Sequence, residues 1–129
     1  MKTIRAPTDV GIIAHVGIRT IVDQRISELR LIPPETLSDL GVFIVAEVGD
    51  TIKQLEQAAG CGLFYDLDGT PYGDPEFSPS FEWVEHHTDL QCFEMLFIMT
   101  DDGYFTVLFI PDIPEVPPDL IQFCRDYAL

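Results

Sequence analysis

Four acidic residues between positions 66 and 76 are the first side chains in this sequence that could do chemistry. Asp66, Asp68, Asp74 and Glu76 lie in a stretch rich in glycine and proline, and clustered carboxylate oxygens are the ligands that calcium prefers. The start Asp-x-Asp-x-Thr fits an EF-hand loop, which needs glycine at its sixth position and glutamate at its twelfth. Those positions hold proline and phenylalanine here, so the spacing excludes an EF-hand. Weak metal binding by Asp66 and Asp68 stays as an alternative.

The same stretch contains the sequence FYDLDGT, residues 64–70, which resembles the first motif of the haloacid-dehalogenase-type phosphatases. The resemblance implies that Asp66 attacks phosphorus, that Asp68 acts as acid and base, and that Mg²⁺ lies between them. It also implies a second motif, which Thr100 matches at the end of an apolar stretch. However, the lysine that the family uses downstream is missing, because the last lysine of this chain is Lys53. Asp-Leu-Asp-Gly is also favourable turn sequence, and we predict a turn.

A second group of reactive side chains surrounds two adjacent histidines. His86 and His87 lie close in sequence to Glu85, Asp89 and Cys92, and imidazole and thiolate groups are good zinc ligands. Neighbouring residues on a strand point to opposite faces, so only one of the histidines can share a site with Glu85. Cys92 with His87 would also make a nucleophile and base pair. We expect instead that both histidines are exposed at the end of a strand and that Cys92 begins an apolar strand.

Charge is distributed unevenly along the chain, whose formal net charge is −15. Residues 1–53 contain six basic and seven acidic residues, whereas residues 54–129 contain fifteen acidic residues and one basic residue, Arg125. Such a surface repels nucleic acids and anionic membranes, because both are bound by basic residues. We therefore expect no direct binding to nucleic acid or to membranes, and we predict a basic protein as the partner.

The three cysteines indicate a reducing compartment. Cys61, Cys92 and Cys124 are odd in number, widely spaced and without a C-x-x-C motif, which fits reduced thiols in the cytoplasm better than disulfides. Their expected role is that of small core residues. The apolar stretch near the N-terminus is interrupted by charged residues and is interpreted as part of the fold rather than as a signal peptide.

The apolar periodicity predicts a single α+β domain over residues 1–129, with a mostly antiparallel sheet and helices packed on it. The predicted strands span about 42–48, 61–66, 81–87, 92–100 and 104–110. The predicted helices span about 8–31, 34–40, 51–59 and 118–127, although residues 8–20 also alternate as a strand would. The two strands of the 92–110 hairpin are apolar on both faces. Either both faces are covered within the chain, or one face contacts a second copy.

These features favour a non-enzymatic, acidic protein-binding module with no catalytic residues and no cofactor. An inhibitor, an immunity-type protein and a nucleic-acid mimic all fit that description. The alternatives are a metal-dependent hydrolase that uses Asp66 and Asp68, and an oligomeric accessory protein that associates through the 92–110 hairpin. The residues predicted to bind the partner are Asp66, Asp68, Tyr72, Asp74, Glu76, Glu82, Glu85 and Asp89.

Overall fold

Short apolar segments form the five strands of one sheet in the computed structural model, which describes residues 1–29, 37, 40–98 and 104–129. The strands are β1 (Lys2–Ile4), β2 (Gly41–Val45), β3 (Trp83–His87), β4 (Cys92–Ile98) and β5 (Phe105–Pro111). The α-helices are α1 (Val16–Glu28), α2 (Ile52–Ala59) and α3 (Pro118–Tyr127), and 3₁₀ helices cover Pro7–Ile12 and Thr88–Leu90.

The sheet has the strand order β1-β2-β5-β4-β3. β2 and β5 run parallel, and the other three neighbouring pairs are antiparallel. The predicted α+β fold with a mostly antiparallel sheet is therefore confirmed. β3 is an edge strand, and the chain terminus contacts its outer edge, where the Leu129 N–H donates to the Val84 carbonyl oxygen over 2.9 Å.

Helices cover both faces of the sheet. On one face α1 contributes the buried side chains Ile18, Ile21, Val22 and Ile26. On the other face α2, α3 and the loop before β3 pack over the sheet, with Phe123 of α3 completely buried. Side chains of β4 and β5 alternate between these two cores. Both apolar faces of the predicted hairpin are thus covered within the chain.

Two helices begin and end where the sequence predicts. Thr51 caps α2, because its hydroxyl accepts the Gln54 N–H while the Gln54 side chain accepts the Thr51 N–H, which is a capping box. Gly60 ends α2 with φ of 79°, a left-handed conformation that glycine adopts without steric cost. Pro118 occupies the first turn of α3, where its missing N–H is not needed.

The predicted helix over 8–31 is wrong at its N-terminal end. Residues Pro7–Ile12 form a 3₁₀ helix, and α1 begins only at Val16. The N-cap is His15, whose Nδ1 accepts the Ile18 N–H over 3.2 Å. A histidine at this position is not one of the usual capping residues, so neither the cap nor the preceding extended residues could be recognised from the sequence.

The predicted strand over 61–66 is also wrong. The Leu63 N–H donates to Oε2 of Glu56 over 2.7 Å, so a side chain of α2 satisfies it rather than a sheet neighbour. Tyr65 makes an isolated bridge to Pro71 within the loop. The fifth strand is instead β1, which has only three residues and is therefore too short to be recognised from a sequence pattern. The predicted helix 34–40 lies largely outside the described residues, and Thr100 and the residues 101–103 that connect the predicted hairpin strands lie entirely outside them.

Among the described residues, no helix has both the length and the apolar character that crossing a membrane requires.

Candidate functional site

Three side chains of the edge strand β3 share the face that α1 covers. Trp83, Glu85 and His87 alternate along β3, and Glu85 lies opposite Glu94 of β4 in the antiparallel register. This pairing brings two carboxylates side by side on one face of the sheet. Glu94 is completely buried, so its charge needs partners inside the protein.

Arg25 of α1 supplies the main partner of Glu94. Its Nε donates to Oε2 of Glu94 over 3.1 Å, and its Nη2 donates to Oε1 over 3.0 Å. This two-bond geometry is the strongest form of arginine–carboxylate pairing. His87 Nε2 lies 2.8 Å from the same Oε1. The hydrogen bonds to Glu94 raise the pKa of the Arg25 guanidinium above its usual value.

Two further carboxylates stand around Arg25 at the protein surface. Glu28 Oε1 lies 3.5 Å from Nη1 of Arg25, and Glu85 Oε2 lies 3.9 Å from Nη2. Their side chains are 65% and 49% exposed. One guanidinium and one imidazole therefore face three carboxylates, and the two outer carboxylates remain open to solvent.

The trio Glu85, His87 and Glu94 is also the group of candidate metal ligands in the described part of the chain, because one ligand atom of each lies within 4.8 Å of the others. Glutamate oxygen and imidazole nitrogen are suitable zinc ligands. Arg25, however, already binds both oxygens of Glu94 and approaches Glu85. The guanidinium thus holds the positive charge that a metal ion would bring.

An open cleft of about 330 Å³ lies beside this ion-pair network. We call it the β3–α1 cleft. Its charged lining residues are Arg25, Glu28 and Glu94, and its apolar lining residues are Leu29, Phe43, Trp83, Leu96, Phe105 and Val107. Among the described residues, the cleft therefore combines apolar walls with a charged side formed by Arg25 and two glutamates.

His86 lies on the opposite face of the sheet, as the alternation of a strand requires. Its ring stacks on Phe93 with the ring centres 4.1 Å apart, and its Nε2 lies 3.0 Å from Asp112. Arg125 binds the other oxygen of Asp112 over 3.2 Å. The prediction that only one histidine shares a face with Glu85 is confirmed. The expected exposed histidines are not found, since their side chains are 18% (His87) and 27% (His86) exposed.

Cys92 cannot serve as the nucleophile of a pair with His87. Its side chain is completely buried beneath α1, and burial raises the pKa of its thiol to about 12. Burial likewise raises the pKa of Cys124 to about 12. Both thiols are therefore protonated at neutral pH and act as core side chains, as the sequence predicts.

The Asp66 loop is a structural turn. Oδ1 of Asp66 accepts the N–H groups of Asp68 and Thr70, each over 2.9 Å, and Oδ2 accepts the Ser78 N–H over 3.0 Å. The bond from Ser78 and those from the neighbouring N–H groups lower the pKa of Asp66. The predicted turn is confirmed, and both oxygens of Asp66 accept hydrogen bonds that stabilise it.

Aromatic side chains anchor this loop on α3. Tyr72 and Phe77 pack edge-on against each other and against Phe123, and the Tyr72 hydroxyl donates to Asp126. Tyr72 is therefore part of the loop's packing, although it was predicted to bind a partner. The loop and the β3–α1 cleft consequently lie on opposite faces of the sheet.

The remaining predicted binding residues lie in the loop and at the two ends of β3. Asp68, Asp74 and Glu76 are exposed in the loop, where Asp74 also accepts the Glu76 N–H over 2.9 Å. Glu82 is exposed immediately before β3, and Asp89 is exposed in the 3₁₀ helix that follows it. The structure thus does not gather the predicted acids into one cluster.

Sequence reasoning overlooked Arg25, Glu94 and Trp83 as parts of a site. Arg25 is 69 residues away from Glu94 along the chain, so no local pattern connects the two. One signal was present in the sequence. Glu94 interrupts the otherwise apolar strand CFEMLFI, and a buried carboxylate requires a cationic partner.

Comparison of this chain with protein-family models, with curated proteins and with solved structures found no match.

Proposed function

We propose that this chain is a non-enzymatic binding module that associates with a basic protein through its exposed carboxylates. An inhibitor and an immunity-type protein are two roles of this kind, and a nucleic-acid mimic is a special case in which carboxylates replace phosphates. In each role the charge increases the association rate and selects for a partner of opposite sign.

The surface charge of residues 54–129 is the observation that carries this proposal. Among the described residues of this segment, nine acidic residues are exposed: Asp68, Asp74, Glu76, Glu82, Glu85, Asp89, Glu115, Asp119 and Asp126. Its single basic residue, Arg125, already binds Asp112. The segment itself therefore contains almost no positive charge that could neutralise its exposed carboxylates.

Two other functions have less support. A hydrolase that uses Asp66 and Asp68 has less support because the Asp66 carboxylate holds the turn by accepting three backbone N–H groups, and because residues 54–124 contain no lysine or arginine that could stabilise a phosphoryl group. An oligomer built on the 92–110 hairpin would need a broad apolar face, whereas α1 covers much of one face of β4 and β5 and α3 covers the other, although Leu96, Phe105 and Val107 line the open β3–α1 cleft. The proposal includes the cytoplasm as compartment, which the free thiols of Cys61, Cys92 and Cys124 support.

The proposal is tested by affinity capture from the cells that make the protein, at about 50 mM and about 500 mM salt, since salt screens exposed charges. We expect a basic protein to be retained at low salt and released at high salt. A variant with Glu82→Gln, Glu85→Gln and Asp89→Asn should retain less of it. Capture that neither salt nor this variant changes, or retention of the chain alone at both salts, would contradict the proposal.

A further inference from the structure

We infer that the β3–α1 cleft receives an arginine side chain of the basic partner, with its guanidinium against Trp83 and between Glu28 and Glu85. This inference rests on the proposed function and adds to it the place and the chemistry of the contact. It concerns a part of the surface that does not include the Asp66 loop.

The charges of the cleft select a cation. The guanidinium of Arg25 donates two hydrogen bonds to Glu94 and neutralises its charge. Glu28 lines the cleft, and Glu85 lies beside it on β3. Their carboxylates are 3.5 and 3.9 Å from the Arg25 guanidinium and stay largely exposed. These two carboxylates repel an anion near the cleft, whereas a cation would gain them as partners.

The walls of the cleft select a long side chain with an apolar stem. Trp83, Leu29 and Leu96 line it, and an arginine buries its three methylene groups along such surfaces while its charged end stays near water. The cleft of about 330 Å³ lies at the lower end of the range for small-molecule pockets, about 300–1,000 Å³, so it has room for one inserted side chain.

Arginine fits better than lysine or a metal ion. A guanidinium is planar, stacks on an indole ring and can donate to two carboxylates at once, whereas an ammonium group is compact and strongly hydrated. A metal ion on Glu85, His87 and Glu94 would have to displace Arg25 from both oxygens of Glu94.

Trp83 makes the test specific, because it is the only tryptophan of the chain. An oligo-arginine peptide is titrated into the protein at low salt, with oligo-lysine of equal length for comparison. Trp83 fluorescence reports on the cleft, and calorimetry reports on total binding. We expect saturable binding that changes Trp83 emission and is tighter for oligo-arginine.

Two double variants with the same change in charge separate the cleft from the rest of the acidic surface. Glu28→Gln with Glu85→Gln should weaken oligo-arginine binding roughly five- to tenfold. Asp68→Asn with Glu76→Gln, in the loop on the opposite face, should weaken it less than twofold. Trp83→Leu should weaken it about two- to fivefold in calorimetry, since cation–π contacts contribute about 0.5–1 kcal/mol at exposed sites.

Equal weakening by both double variants, or binding that leaves Trp83 emission unchanged, would overturn the assignment to the cleft and leave a diffuse acidic surface as the binding site. Absence of oligo-arginine binding at low salt would also overturn it. None of these three results decides the proposed function, which depends on capture of the native partner.

Discussion

The Asp66 loop and the β3–α1 cleft both gather carboxylates, yet they use them in different ways. In the loop, the carboxylate of Asp66 binds backbone N–H groups within twelve residues of itself. In the cleft, Glu94 binds Arg25, which belongs to another element of the fold. The first arrangement stabilises a turn and uses both oxygens of the carboxylate within the loop itself. The second stabilises the packing of α1 on the sheet and leaves Glu28 and Glu85 exposed around a guanidinium.

The difference shows why clustered acids in a sequence are a weak sign of a binding site. A carboxylate in a turn sequence that contains glycine can accept hydrogen bonds from the backbone N–H groups of its own segment. A carboxylate inside an apolar strand cannot, because the strand's N–H groups are paired with its neighbours and a distant cation must come to it.

The largest expected effect is that of removing the guanidinium in the cleft. Arg25→Met leaves Glu94 buried with His87 as its remaining partner, and loss of one member of a buried ion pair costs about 3–5 kcal/mol. We expect the free energy of unfolding, measured by denaturant titration, to fall by that amount.

Arg125→Met is the matched control for this prediction. Arg125 pairs with Asp112 at the surface, where its side chain is 55% exposed, and such pairs contribute about 0–1 kcal/mol. Equal destabilisation by the two substitutions would mean that Glu94 does not depend on Arg25. The double variant Arg25→Met, Glu94→Leu should recover much of the loss, because well-packed apolar residues can replace a buried ion pair.

A smaller effect is expected from the histidines on the two faces of β3. His87→Ala removes the contact of 2.8 Å to the buried Glu94, and hydrogen bonds to charged groups contribute about 1.5–3 kcal/mol. His86→Ala removes a contact to Asp112, which keeps Arg125 as a partner. We expect the melting temperature to decrease more for His87→Ala than for His86→Ala. A larger decrease for His86→Ala would mean that the contacts of His86 on the α3 face contribute more to stability than the contact of His87 with Glu94.

The fold was more predictable from the sequence than the site, for a physical reason. Helix α3, helix α2 and the strands β4 and β5 follow from apolar periodicity, prolines and caps that act within a few residues. The start of α1 at Val16, capped by His15, and the three-residue β1 depend on tertiary contacts, and both were missed.

The site was predicted in part. Glu85 and the one histidine on its face follow from alternation along a strand, and the turn at Asp66 follows from its Asp-Leu-Asp-Gly sequence. Arg25 was missed because its contact with Glu94 joins residues 69 positions apart. The element on which Tyr72 packs is likewise a tertiary feature that its local sequence does not give. Local patterns thus describe each element, but they do not say which elements meet.

Low pH should destabilise the loop, because it protonates the carboxylate of Asp66. Its pKa is lowered in the folded chain by the N–H groups that it accepts, above all that of Ser78. The stabilisation is therefore present above the ordinary value of 3.8 and is lost as the pH falls through the lowered value.

Asp66→Asn should remove this contribution. We expect the protection factors of the Thr70 and Ser78 amides, which are corrected for the intrinsic pH dependence of exchange, to be lower in the variant at neutral pH and to change less than in the wild type on acidification. Unchanged exchange at both amides would contradict the role of Asp66 in the loop.

The smallest effect is expected where the loop acids face solvent. Asp68 and Glu76 are exposed, and surface substitutions away from special features change stability by about 0.5 kcal/mol or less. Asp68→Asn with Glu76→Gln also reduces a net charge of −15, which relieves repulsion within the folded chain. We therefore expect a slight stabilisation at low salt, measured by thermal unfolding, that disappears at high salt because screening removes the repulsion. A clear destabilisation would mean that these two carboxylates hold the loop as Asp66 does, and the contrast between the loop's inner and outer acids would be lost.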